Sequence, residues 1–251
     1  MPVNHWLLQP LMLTLLYLQL LLLGLISLGW NLIAALLYPL LPRQRGLVIG
    51  RAGISHGYGL FWTVANASGL LKMDATALDP LRDEEGLIVV ANHPSMLDAL
   101  MLVARLPRSV CVMKASLMHN PFLGPGARLA RYIQNDSARG MVRNAVNDLK
   151  EGGQLVLFPE GTRTVRPPVN DFRPGFTLIA KLANAPIQTV FIDTDSPYLG
   201  KGWPLWRLPP LPIEFSVRLG KRFAPSADPT AQLAEIQTYF AESLAAPARQ
   251  T

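Results

Sequence analysis

A single cysteine, Cys111, stands among 251 residues. That excludes an intrachain disulfide framework and a Cys-based zinc site, and an unpaired thiol suits a reducing compartment. Only four histidines occur, none at a paired ligand spacing, so no metal is expected. Charge is scarce too, at 16% of residues, where an ordinary soluble domain carries roughly a quarter. A disordered chain is excluded as well, because half of the residues are hydrophobic. The scarcity is local. No Asp, Glu, Lys or Arg precedes Arg43, and residues 43–251 carry all the charge at about the density of a globular domain. They are long enough for one domain with a full core.

The uncharged start holds an apolar run of 36 residues, Trp6 to Leu41. As one helix it would be about 54 Å long, while a hydrocarbon core is about 30 Å thick. One straight span does not fit. The expectation is a crossing plus an interfacial stretch, or a helical hairpin, broken near Gly24, Gly29 and Asn31 and closed by Pro39 and Pro42. A secretory signal peptide is disfavoured: its basic n-region and A-x-A site are both missing, and the run is too long. Arg43, Arg45 and Arg51 follow the run, and the positive-inside rule then puts the rest of the chain on the cytoplasmic side of the inner membrane. The net charge of +6 also suits an anionic leaflet. The chain thus divides into a membrane-embedded helical segment, 1–42, and a second unit, 43–251.

Within 43–251, helices and short apolar strands alternate. Residues 50–68 read as a helix at the membrane surface, with Ile54, Tyr58, Phe61 and Trp62 on its apolar face. Strands are expected at 70–76, 87–91, 110–113, 155–158, 187–192 and 214–219. Helices are expected from Pro94 to about Arg105 and over 121–132, 138–150, 174–183 and 228–245, with a Pro- and Trp-rich loop over 196–212. That order predicts an α/β fold with a mixed, largely parallel sheet flanked by helices.

Two segments at strand ends carry candidate chemistry. The first is Asn92-His93-Pro94-Ser95-Met96-Leu97-Asp98. It follows a buried strand, and ligand sites in α/β folds lie at strand carboxyl ends. An Asp one helical turn past a His can fold back to it, fix its tautomer and stabilise the imidazolium, leaving the other nitrogen to take a proton from a hydroxyl. The plain alternative is an Asn-His surface turn in which Asp98 merely favours a helix N-terminus. The second segment is Leu157-Phe158-Pro159-Glu160-Gly161-Thr162-Arg163. An acid, a hydroxyl and a guanidinium share one turn, where Arg can grip a phosphate and Gly161 lets backbone N–H groups approach. Taken alone it reads as a turn with a surface Glu–Arg pair, worth about 0–1 kcal/mol. Phe172-Arg173-Pro174-Gly175 adds a third cation beside a helix N-terminus.

Together these motifs resemble the glycerolipid acyltransferases of the lysophosphatidate acyltransferase type, over residues 47–225. The separation of 67 residues between His93 and Glu160 is similar. Lys114 at a strand end, Phe172-Arg173-Pro174-Gly175 and Ala185-Pro186-Ile187 are further matches. The chain departs from the family where Asn135 replaces an Arg and Thr189 replaces a Pro. Arg131 and Arg139 are the candidates to supply the missing phosphate contact. Residues 198–210 resemble a bacterial branch associated with aryl-polyene pigment synthesis, so another lipid or pigment hydroxyl is an alternative acceptor. A catalytically silent lipid-binding module is the reading from outside the enzymes.

The resemblance implies transfer of a fatty acyl group from acyl-CoA or an acyl carrier protein to a lysophospholipid hydroxyl, with no cofactor. His93 would be the base and Asp98 its orienting acid. Glu160, Gly161, Thr162, Arg163, Lys114 and Arg173 would hold the acceptor's head. Ser95 lacks a G-x-S-x-G elbow and reads as a helix-start residue rather than a nucleophile. His5 is expected at the interface, and His56 and His119 in packing or surface roles. No aromatic-basic nucleic-acid module is visible. Trp203 and Trp206 either rest on a membrane or pack on the core.

Overall fold

The computed structural model describes residues 5–245, and side chains from residue 9 onward. The His5 side chain therefore lies outside the described residues. Seven strands form one sheet: β1 Leu71–Asp74, β2 Leu87–Ala91, β3 Ser109–Met113, β4 Ile133–Gln134, β5 Gln154–Leu157, β6 Ile187–Asp193 and β7 Ile213–Phe223. Their order is β1-β7-β6-β2-β5-β3-β4. Every neighbouring pair is parallel except β6 and β7. The helices are α1 His5–Leu37, α2 Arg43–Ser68, α3 Asp98–Arg105, α4 Gly124–Leu129, α5 Ala138–Lys150, α6 Gly175–Ala183 and α7 Pro229–Ala245.

The central strand shows why the sheet is covered on both faces. All five β2 residues are buried, as a parallel strand between two helical layers requires. Leu87, Val89 and Ala91 join a core with Phe61 and Trp62 of α2 and Met101 and Leu102 of α3. The alternate residues Ile88 and Val90 join a second core with Leu149 of α5, Ile179 of α6 and Phe240 of α7. Each fully buried aliphatic or aromatic side chain contributes about 1.5–3 kcal/mol. These layers hold the carboxyl ends of β2, β5 and β3 side by side at one end of the sheet.

The N-terminal segment differs from the expectation. α1 runs unbroken through Gly24, Gly29 and Asn31, and the chain reverses only at residues 38–42. The two glycines cost about 1 kcal/mol each relative to Ala. Tertiary contacts along one face of the helix outweigh that. Leu16, Gln19, Ser27, Asn31 and Ala34 are buried. Gln19 Nε2 donates to Ser68 Oγ at 2.6 Å, and Ser27 Oγ donates to the Phe122 carbonyl at 2.8 Å. Asn31 Nδ2 donates to the same carbonyl at 2.7 Å, while its Oδ1 accepts the Gly126 N–H at 2.7 Å. The opposite face exposes Leu11, Leu15, Leu18, Leu21, Leu25, Leu32 and Leu36. By length and composition Gln9–Leu37 is able to cross a membrane.

α2 begins at Arg43, earlier than expected, and is more than a surface helix. Ile54, Phe61 and Trp62 are buried. At Gly53 the two long helices meet so closely that a Cβ would sit 2.1 Å from the Trp30 ring. Arg51 is not a leaflet-facing cation. It is buried and ion-paired with Asp148, and it donates to the carbonyls of Ala130 at 3.2 Å and Arg108 at 3.0 Å. The helix expected over 121–132 is shorter, Gly124–Leu129, after a 3-10 turn at Ala115–His119.

Candidate active site

The chain leaves β2 at Ala91 and turns before α3 begins at Asp98. The expected helix start at Pro94 is thus four residues too early. Residues 94–97 form a turn instead, and this brings Asp98, the first helical residue, back beneath His93. Its Oδ2 accepts from His93 Nδ1 at 2.8 Å and from the Ser95 backbone N–H at 2.8 Å. With Nδ1 donating to a carboxylate, Nε2 is the nitrogen left to accept a proton. Among the described residues Nε2 has no hydrogen-bond partner. The Phe158 ring stacks on the imidazole, with centroids 4.1 Å apart and planes 18° from parallel. The imidazole is therefore held in plane by the acid and in tilt by the phenyl ring.

Asp98 is fully buried, and its Oδ1 has no partner among the described residues. Burial pushes its carboxyl up to about 6, against the opposing hydrogen bond from His93. It is still ionised at neutral pH. Asn92 fixes the strand end. Its Nδ2 donates to the Ile192 carbonyl at 2.9 Å and its Oδ1 accepts the Ile192 N–H at 2.8 Å, so its side chain extends the pairing of β2 with β6.

Glu160 lies beside His93 because of strand register. Val90 faces Leu157 across the parallel pair β2–β5, and the same offset carries His93 to Glu160. Their contact differs from the expected head-group role. Glu160 is only 3% exposed. Its Oε1 accepts from the His93 N–H at 3.0 Å and from Thr164 Oγ1 at 2.8 Å, and its Oε2 accepts from the Asn170 N–H at 2.8 Å. Both carboxylate oxygens are used internally. Glu160 is a brace between two loops, not a free ligand. The Thr164 N–H completes the brace by donating to the His93 carbonyl at 2.7 Å.

The remaining expected residues fall around this pair. Gly161 takes a left-handed conformation, φ 67°, which glycine adopts without a Cβ penalty. The Arg173 side chain lies against it, with Nε 2.6 Å from where a Cβ would stand. Arg173 and Thr162 are exposed. Arg163 Nη1 donates to the carbonyls of Leu199 at 2.8 Å and Gly200 at 3.1 Å. Lys114 is exposed just past β3. It is the strand neighbour of Asn135, whose N–H donates to the Met113 carbonyl at 2.9 Å. Arg131 does not stand in for the missing arginine: its guanidinium lies 5.3 Å above the Tyr38 ring, at the α1–α2 reversal. Arg139 lies in the first turn of α5. Thr189 is buried inside β6, where its Oγ1 donates to the Lys221 carbonyl at 2.7 Å, so that departure concerns strand packing. Ser95 Oγ donates to the Tyr198 carbonyl at 3.1 Å, which fits a turn-forming residue.

Sequence reasoning missed Thr164, Asn170 and the 198–200 loop as parts of the site. Phe158 lies inside the Glu160 motif, and only its stacking on the imidazole went unread, since that contact joins two strand ends far apart in sequence. Asn170 meets Glu160 through its backbone N–H, while its side chain accepts from the Val165 and Arg166 N–H groups and donates to the Arg163 carbonyl, partners set by the loop's tertiary path. Among the described residues no group of His, Cys, Asp and Glu is placed to hold a metal.

The family model described as Acyltransferase matches residues 72–193. The 1-acyl-sn-glycerol-3-phosphate acyltransferase of Limnanthes alba is 30% identical over 135 residues, covering 50% of this chain and 47% of its own. The lysophosphatidylcholine acyltransferase of Drosophila melanogaster is 31% identical over 123 residues, covering 46% of this chain and 22% of its own. The chain thus spans half or less of the curated relatives' length. The crystal structure of the 1-acyl-sn-glycerophosphate (LPA) acyltransferase PlsC from Thermotoga maritima superposes with a TM-score of 0.61 at 19% identity, over 88% of this chain and 95% of that one. The fold is shared with that enzyme, and the family model falls on the stretch from β1 to β6 that builds the site. Residues 72–193 are thus similar to the acyltransferases in sequence, and the fold is that of the Thermotoga maritima enzyme.

Proposed function

We propose that this chain transfers a fatty acyl group from an acyl thioester, on CoA or an acyl carrier protein, to the hydroxyl of a lysophospholipid such as 1-acylglycerol-3-phosphate. The observation that carries this reading is the imidazole of His93, tied to buried Asp98 at 2.8 Å and backed by Phe158. Nε2 takes the hydroxyl proton as the oxygen attacks the thioester carbonyl. Collapse of the tetrahedral intermediate breaks the C–S bond, and the imidazolium returns the proton to the leaving thiolate. The products are an ester and a free thiol, with no covalent enzyme intermediate. Lys114, Arg163 and Arg173 are the cations for an acceptor phosphate. The relatives' names, which specify glycerophosphate and phosphatidylcholine lysolipids, support this acceptor class.

Purified full-length protein in mixed detergent–lipid micelles, given labelled acyl-CoA or acyl carrier protein thioester plus lysophosphatidate, should form the diacyl product with at least one donor. Lysolipid binding without ester formation from either donor would instead establish a silent binding module.

The chain's place at the cytoplasmic face of the inner membrane belongs to the same proposal. One face of α1 is bonded to the domain along its length, so the exposed leucine face is the surface left for lipid. We place α1 along a single leaflet rather than across both. Leu18→Lys with Leu25→Lys should release the chain from vesicles in flotation. Unchanged flotation would refute that placement.

A further inference from the structure

The loop between β6 and β7 carries Trp206, which at 78% is the most exposed large hydrophobic among the described residues, and Leu205 beside it is 46% exposed. Trp203, three residues earlier, is folded back onto the core. Its Nε1 donates to the Arg207 carbonyl at 3.2 Å, and the Arg207 guanidinium lies 4.8 Å from its ring centroid. This closed turn displays Leu205 and Trp206 outward, with Lys201 exposed and Arg207 beside them. An apolar tip with a cationic flank matches the chemistry of an anionic bilayer interface, where indole sits at head-group level and Lys and Arg meet lipid phosphate.

The loop is held at both ends. On one side Tyr17 Oη donates to the Leu205 carbonyl at 3.2 Å, which joins the tip to α1 beside the exposed Leu18 and Leu21. The apolar surface is therefore continuous with the leucine face. On the other side the Met96 N–H donates to the Leu199 carbonyl at 3.1 Å, and Arg163 and Ser95 bond the neighbouring carbonyls. Leu199 is itself held at φ 56°, a left-handed conformation that L side chains adopt only where their surroundings hold them. The loop links the α1 surface to the turn that carries His93 and Asp98.

We propose that residues 201–208 form a second lipid contact, planted in the interface of an anionic bilayer by Leu205 and Trp206, which sets the His93 turn against the membrane surface. The catalytic arm of the test rests on the proposed function, and the fluorescence arm does not. Full-length wild type and Trp206→Phe are each bound to phosphatidylcholine–phosphatidylglycerol vesicles with plain or brominated chains, and the difference between the two proteins isolates the emission of Trp206. Strong quenching of that difference by brominated lipid is expected, and equal emission in both vesicles overturns the proposal. In the Leu205→Ser/Trp206→Ser protein, transfer to lysophosphatidate embedded in vesicles should fall about tenfold. Transfer to a short-chain lysophosphatidate dissolved as monomers should stay within about twofold. Equal loss on both acceptors, or no loss on either, also overturns it. If wild type acylates neither acceptor, the proposed function fails and the quenching result alone decides the loop.

Discussion

Replacing His93 by Ala is expected to lower kcat/KM for acyl transfer about 10²–10⁴-fold, the usual contribution of a positioned general base. The fold should survive, because the imidazole is partly exposed and bonded only to Asp98, and lysolipid binding should be nearly unchanged. A variant that keeps wild-type turnover would remove His93 from the mechanism. The same pair sets the acid side of the pH profile. Burial lifts the Asp98 carboxyl to about 6, so acidification through that value protonates it and withdraws the charge that stabilises the imidazolium. Turnover should therefore fall as pH drops through about 6, with the apparent value belonging to the coupled pair. The stability linkage has the opposite sign. Between the ordinary carboxylate range and about 6 the folded chain binds more protons at Asp98 than the unfolded chain does. This group's contribution to stability thus falls as pH rises through that window. Acid loss of activity while the far-ultraviolet dichroism stays native is the expected result. Activity independent of pH between 5 and 8 would separate Asp98 from turnover.

Arg51→Ala is expected to cost about 3–5 kcal/mol of stability, because it strands a buried carboxylate. Side-chain exposure is 5% at Arg51 and 11% at Asp148. The guanidinium also satisfies the carbonyls at the end of α4 and before β3, so its loss unpins α2 from the domain. Burial raises the Asp148 carboxyl even with Arg51 beside it, so desolvation outweighs the pairing. From that balance, Arg51→Met with Asp148→Leu should be markedly more stable than Arg51→Ala alone, because the double change removes both buried charges. Denaturant titration in detergent measures both. Equal stability of wild type and Arg51→Ala would show that the buried pair holds nothing together.

Much of the architecture was legible from pattern. Residues 138–150 read as a helix from apolar spacing and are one. Residues 87–91 read as a buried strand and sit in the middle of the sheet. β4 was missed because a two-residue strand has no period to detect. The first turn of α3 was misplaced because Pro94 is at ease in a helix start. Here it opens the turn that folds Asp98 back, and local preference does not distinguish the two. The break assigned to α1 failed for a related reason. Glycine lowers intrinsic helicity, but packing against the domain decides whether the helix continues.

The amino-acid order by itself determined whatever depends on near neighbours: where charge is missing, which segments alternate, and that an acid stands five residues after a histidine. Docking decided the rest. Glu160 turned inward once β2 and β5 set their register, and Arg163 turned towards the 199–200 carbonyls once that loop closed over the site. α1 gained one occupied face and kept one bare. Those outcomes come from hydrogen bonds and burial between residues tens of positions apart, whose energies exist only after the sheet has assembled, so no local periodicity records them.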